Sequence, residues 1–77
     1  MSAPPKISRL DWSPLRQMRH RLDVSQARAG ALVGVSGSLV SKWEHSKRQP
    51  SALQLVRLAT SLGTPMWSLF NAIEEKP

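Results

Sequence analysis

The sequence predicts an all-α domain, a compact set of five short helices, on three observations. Small hydroxyl residues stand just ahead of apolar runs at Ser13, Ser25, Ser36, Ser51 and Thr64, where a side-chain oxygen can cap a helix. The runs behind them repeat at three- and four-residue spacing, the period of one helix face. Glycines follow two of the runs, Gly34 and Gly63, where a left-handed residue ends a helix at little cost. No strand and no internal repeat is expected. The organisation expected is a flexible arm over residues 1–11, the folded domain over 12–73 and a polar tail over 74–77.

The arm holds two adjacent prolines and mixed charges, which suit no stable helix. Ser13 and Pro14 suit an N-cap and the first helical position, and Leu15, Met18 and Leu22 then form one apolar face. Arg16, Arg19 and Arg21 lie off that stripe. The second helix is expected from Gln26 to about Val33 behind Ser25, and its residues are small: Ala27, Ala29, Gly30 and Ala31. A helical glycine costs about 1 kcal/mol relative to alanine, so Gly30 implies a close approach by a neighbouring helix. The third helix is expected from Gly37 to about His45. Leu39, Val40 and Trp43 supply its buried side, and Glu44 suits a structural ion pair better than chemistry. Ser51 and Gln54 have capping-box spacing, and Leu55, Val56, Leu58, Ala59 and Leu62 make a wide core-facing stripe. A fifth helix is expected after Thr64-Pro65, containing Met66, Trp67, Leu69, Phe70 and Ile73.

Eleven lysines and arginines oppose five acids in 77 residues, a net charge of +6. All of that excess lies between Trp12 and Phe70, which favours a polyanionic partner and nucleic acid above others. There is no cysteine, so neither disulfides nor thiolate metal sites are available. No apolar run approaches the roughly 20 residues of a membrane span, and the first residues lack a signal peptide's apolar segment. A cytoplasmic protein with no membrane partner is the expectation. Catalysis is not expected, since His20 and His45 lack a carboxylate pair, a metal-ligand spacing or a glycine-rich phosphate loop. No cofactor and no metal is expected.

The ordered set Ser25-Gln26, Val33-Gly34-Val35-Ser36, Val40-Ser41-Lys42-Trp43-Glu44, Lys47-Arg48-Gln49-Pro50-Ser51 and Leu58-Ala59-Thr60-Ser61-Leu62-Gly63, continuing to Leu69-Phe70, resembles the XRE-like family of phage-repressor and Cro-type helix-turn-helix regulators. The likeness covers about Leu15 to Phe70. It implies a five-helix fold in bacterial or phage proteins that bind operator DNA as homodimers and commonly repress transcription. Departures from the pattern are Ala27-Arg28 where two acids are frequent, Ala29 for a larger apolar residue, and Ser46 for a common glycine.

In helix-turn-helix docking the recognition helix enters the major groove and its N-terminal part reads base edges. Here that part supplies Gly37, Ser38, Ser41 and Lys42. Lys42 is suited to guanine O6 or N7, the serines are less selective, and Gly37 permits close approach. Phosphate contacts are expected from Gln26, at the start of helix two by the resemblance, and from His45, Lys47 and Arg48. Trp43 suits core packing better than base stacking. Met66, Trp67, Phe70 and Ile73 are expected to form a dimer interface.

The function expected is sequence-specific binding to double-stranded DNA by a transcriptional regulator, a repressor on a palindromic operator as a homodimer. The alternative is an antitoxin or restriction-controller protein that binds a partner protein and autoregulates its operon.

Overall fold

The computed structural model describes residues 6–74, and residues 1–5 and 75–77 of the expected arm and tail lie outside them. The elements are β1 (Ile7–Asp11), α1 (Ser13–Arg21), α2 (Gln26–Val33), α3 (Gly37–Glu44), α4 (Ala52–Leu62), a single 3-10 turn (Met66–Leu69) and β2 (Asn71–Glu74). Among the described residues there are four α-helices rather than five, and the two strands form an antiparallel pair. The fold is therefore a helical domain with a small ribbon, not purely α.

The ribbon corrects both ends of the predicted chain. Ile7–Asp11 of the expected arm pairs with Asn71–Glu74, Asp11 opposite Asn71 and Arg9 opposite Ile73, with an irregularity between Ile7 and Arg9. The expected fifth helix stops after one 3-10 turn because Phe70 is fully extended, at φ −152° and ψ 159°. That conformation lays the Phe70 ring against Trp12, with centroids 5.2 Å apart and tilted by 49°. An aromatic pair at this distance contributes beyond its buried area, and here it fastens the end of the domain to its beginning.

Helix starts follow the cap residues at three of the five expected places. Ser25 accepts from Arg28 N, Ser36 from Leu39 N and Ser51 from Gln54 N, and Gln54 Oε1 completes the capping box by accepting from Ser51 N. Ser13 is different. It is already helical, with Trp12 at the cap position, and its N–H and hydroxyl both donate to the Asp11 carboxylate, at 3.1 and 3.0 Å. Those bonds, the one to the backbone N–H foremost, lower the Asp11 pKa. Thr64 caps nothing; its hydroxyl meets that of Ser68, and Pro65 precedes the 3-10 turn.

Helix ends use left-handed residues throughout. Gly34 (φ 77°) and Gly63 (φ 67°) stand where glycine was expected. Asp23 (φ 56°) and Ser46 (φ 58°) do the same work without being glycine. Val24 N donates to Arg19 O, and Lys47 N to Lys42 O, the backbone closures that such an end produces. A left-handed residue with a Cβ costs about 1–2 kcal/mol. Ser46→Gly is accordingly expected to raise stability, by about 0.5–1 kcal/mol once the freer unfolded chain is allowed for. Urea denaturation checks this, and an unchanged midpoint would count against it.

The core comprises Trp12, Leu15, Ala29, Val33, Val40, Trp43, Leu58, Ala59, Leu62 and Leu69. Trp43, at 1% exposure, is a packing residue. Trp12 is equally buried, and its indole Nε1 is the one buried side-chain polar atom without a partner among the described residues. The expected stripe of α1 is broken: Leu15 is buried, but Leu22 is 43% exposed and Arg19 takes the inner position.

Candidate nucleic-acid interface

Two close approaches set α3 against α2. A Cβ at Gly30 would stand 2.5 Å from the Val35 carbonyl oxygen and 2.9 Å from Ser36 C and O. Real Cβ atoms do not come so near backbone, so the neighbour that needs Gly30 is the turn itself rather than a second helix. A Cβ at Gly37 would lie 2.9 Å from Ala27 N and 3.0 Å from its Cα. The absent side chain of Gly37 is thus accounted for by the first turn of α2, a packing reason that stands beside its expected role of admitting DNA. Of the expected small-residue seam, Ala27 meets Gly37 and Ala29 is buried, whereas Ala31 is exposed.

A buried charge cluster fixes the same pair of helices to α1. Arg19 Nε donates to Glu44 Oε2 at 2.7 Å and Arg19 Nη2 to Glu44 Oε1 at 3.0 Å, while Nη1 donates to the Val24 carbonyl at 3.0 Å. The guanidinium holds the carboxylate with two parallel bonds, the strong geometry for this pair. Gln26 Nε2 adds a third donor at 3.1 Å to Glu44 Oε1. Burial pushes the Glu44 pKa up, but the hydrogen bonds from Arg19 and Gln26 outweigh it and leave the carboxylate below its ordinary value. Arg19 therefore does not belong to a solvated helix face, and the sequence signal for it was its i, i+4 spacing from Leu15.

The other expected site residues sort by exposure. Ser38 and Lys42 are exposed on α3, and Ser41 is half-buried. Lys47 and Arg48 are exposed on the turn that follows. His45 is also exposed, and its Nδ1 lies 2.8 Å from the Ser41 carbonyl oxygen. A carbonyl only accepts, so Nδ1 carries the hydrogen and Nε2 is the outward atom. Gln26 is half-buried at the start of α2, with its amide nitrogen committed to Glu44. Glu44 is the only acid from Gly37 to Pro50, and it is neutralised inside the fold. The outward side of this segment consequently carries cations, hydroxyls and the Gln49 amide but no exposed carboxylate.

The expected dimer residues do not share one helix face. Trp67 is 75% and Met66 43% exposed at the 3-10 turn, whereas Phe70 is half-buried on Trp12 and Ile73 lies on β2. Among the described residues there is no group of three or more His, Cys, Asp or Glu able to hold a metal, and no helix is long and apolar enough to cross a membrane.

The helix-turn-helix domain family matches residues 14–66. The repressor protein C2 of Salmonella phage P22 is 38% identical over 48 residues, which are 62% of this chain and 22% of that protein, so the chain spans about a fifth of this relative's length. The crystal structure of the P22 c2 repressor in complex with a synthetic operator superposes with a TM-score of 0.67 at 34% identity, covering 71% of this chain and 83% of that one. Hydroxypropylphosphonic acid epoxidase from S. wedmorenis also matches, with a TM-score of 0.69 at 27% identity, over 75% of this chain and 31% of the enzyme. With four helices packed as described and the match running from α1 to the 3-10 turn, the chain belongs to the XRE-like, phage-repressor branch of the helix-turn-helix family.

Proposed function

We propose that the protein is a DNA-binding repressor that reads a palindromic operator as a homodimer, with α3 as the recognition helix. The observation that carries this reading is the outward side of α3 and its following turn, where Ser38, Lys42, His45, Lys47 and Arg48 stand together and the lone acid is buried. Lys42 and the two serines, Ser38 and Ser41, meet base edges; Lys47 and Arg48 hold phosphates. The likeness to a repressor crystallised on its operator supports the same docking. Gln26 contributes through its place in the first turn of α2, where free backbone N–H groups favour an anion. His45 has only Nε2 left to offer a phosphate, because its Nδ1 is held by the Ser41 carbonyl.

Random-site selection with purified protein tests the proposal. The expected product is an inverted repeat with half-site centres about one helical turn apart, roughly 34 Å. Recovery of no duplex sequence above background would overturn it. Lys42→Ala is expected to relax preference at one position per half-site and to cost about 1–3 kcal/mol there. Lys47→Ala should weaken every duplex alike; a changed base preference would contradict that role.

In this reading the dimer interface centres on Met66 and Trp67, beside Val56, which is 45% exposed and borders the same apolar depression as Met66. Phe70, packed on Trp12, and Ile73, on β2, complete the expected set. Sedimentation at micromolar concentration should show a dimer for the wild type and a monomer for Trp67→Ala. A wild-type monomer throughout would remove this interface. The alternative of an antitoxin or restriction controller calls for a protein partner, and no feature among the described residues favours one. In this reading the protein works in the cytoplasm, on the DNA it binds.

A further inference from the structure

One cationic surface lies outside the recognition helix and its turn. Along α1, Ser13, Arg16, Gln17, His20 and Arg21 line a shallow open depression. Their spacing of three, one, three and one residues places them on a single helix face, opposite buried Leu15 and Arg19. Arg16, Gln17, His20 and Arg21 are exposed, and α1 contains no acid. Direct pairing with Glu44 falls to Arg19 alone among the arginines of α1, and Arg16 adds only a longer-range charge interaction.

The surface extends to the N-cap of α2, beside the expected phosphate position at Gln26. His20 lines this depression and a second one formed with Arg19, Asp23, Val24 and Ser25, the N-cap of α2. Arg16 is near enough to Glu44 to help hold its carboxylate ionised, and Glu44 in turn holds Gln26 at the first turn of α2. The cationic face therefore starts beside the expected phosphate position of α2 and runs away from it along α1. Nine helical residues extend roughly 13 Å, and each DNA strand carries one charge per 3.4 Å or so of duplex axis. The face is long enough for its two arginines to reach separate phosphates.

We propose that the exposed face of α1 is a second backbone-binding strip, in which Arg16 and Arg21, with Gln17 and His20 between them, hold phosphates flanking the half-site read by α3. The inference rests on the DNA-binding reading above. The occupant is the duplex backbone because the lining side chains are cationic, amide or hydroxyl-bearing without an apolar anchor, and the nearby carboxylates, Asp11 on the Ser13 hydroxyl and Asp23 in the adjoining depression, lie at its edges.

The test compares a duplex ending at the selected site with one extended by ten base pairs on each side, across a salt titration. Wild-type protein is expected to bind the extended duplex more tightly and with a steeper salt dependence. The double variant Arg16→Ala, Arg21→Ala should lose that gain, its log–log slope falling by about 1.8 for two phosphates released. At 0.1 M salt the loss corresponds to roughly ten- to sixtyfold in affinity. Its sequence preference should be that of the wild type. The Lys pair Arg16→Lys, Arg21→Lys should retain most of the slope, and Arg57→Ala, an exposed cation on α4, should leave flank dependence unchanged. Normal binding of the selected site by the double variant with an unchanged slope overturns the strip and leaves the DNA reading standing. An equal loss in Arg57→Ala overturns it too, by reducing the effect to net charge. Failure of the wild type to bind either duplex overturns the DNA reading and the strip together.

Discussion

Glu44→Ala is expected to destabilise the domain by about 3–5 kcal/mol, the cost of leaving a buried charge without its partner. Arg19 would keep its guanidinium in a site where the whole residue is 8% exposed, with only the Val24 carbonyl still accepting. Gln26 would lose its acceptor in the same step. A domain of this size has roughly 5–10 kcal/mol in total, so much of the variant should be unfolded at 37 °C. Urea melts at neutral pH check the magnitude. A loss below about 1 kcal/mol would mean that water replaces the carboxylate and the cluster is not dry.

The same pair sets the acid limb of stability. Burial raises the Glu44 pKa and the bonds from Arg19 and Gln26 lower it further, so its net value in the fold lies below the ordinary 4.5. A depressed carboxylate adds stability above its unfolded pKa and loses it as pH falls through the folded one. Stability should therefore decline from about pH 4.5 downward. Glu44→Gln should be less stable at neutral pH and show a flatter acid limb; Asp11, also depressed by its bonds to Ser13, leaves some slope behind. An acid limb identical to the wild type's would show that Glu44 is not the group responsible.

Gly30→Ala is the second large effect. Alanine gains about 1 kcal/mol in helix propensity, yet its methyl would stand 2.5 Å from the Val35 carbonyl oxygen. That atom is backbone in a turn whose own closure is the Val35 N to Gly30 O bond of 2.9 Å, so it has no rotamer through which to yield. Overpacking of this kind costs about 1–3 kcal/mol and occasionally more. A net loss of up to about 2 kcal/mol is expected, with the angle between α2 and α3 disturbed and, on the proposed function, operator affinity falling alongside. Ala27→Gly removes a side chain nearby without any clash and serves as the comparison. A Gly30→Ala protein as stable as wild type would show that the turn relaxes freely, and the rigid α2–α3 unit would have to be given up.

The family and the order of the four α-helices were legible in the residues because local signals agreed. Ser25, Ser36 and Ser51 act on N–H groups two or three residues away, and Gly34 and Gly63 act on the carbonyls just behind them. Such short-range chemistry is written where it operates. The two ends of the chain were not legible for the opposite reason. Met66, Trp67, Phe70 and Ile73 have a spacing that suits a helix, and Ile7–Asp11 by itself suits nothing. Only the pairing of residues sixty or more apart, with Phe70 on Trp12, makes both segments strands.

The site divides in the same way. Lys42, Lys47, Arg48, Ser38 and His45 are exposed, as the pattern of α3 required. Gly37, Gln26 and Arg19 carried meanings that sequence spacing could not separate: a groove contact or a packing gap, a phosphate donor or a carboxylate donor, a solvated arginine or a buried one. By itself, then, the sequence determined a basic helix-turn-helix unit, because periodicity, caps and charge are local properties. The tertiary structure alone decided which arginine is buried against Glu44, which glycines are needed by backbone, and that the termini close into a ribbon. Those outcomes depend on what each side chain meets across the fold, and neighbours brought together by folding leave no mark at either position in the chain.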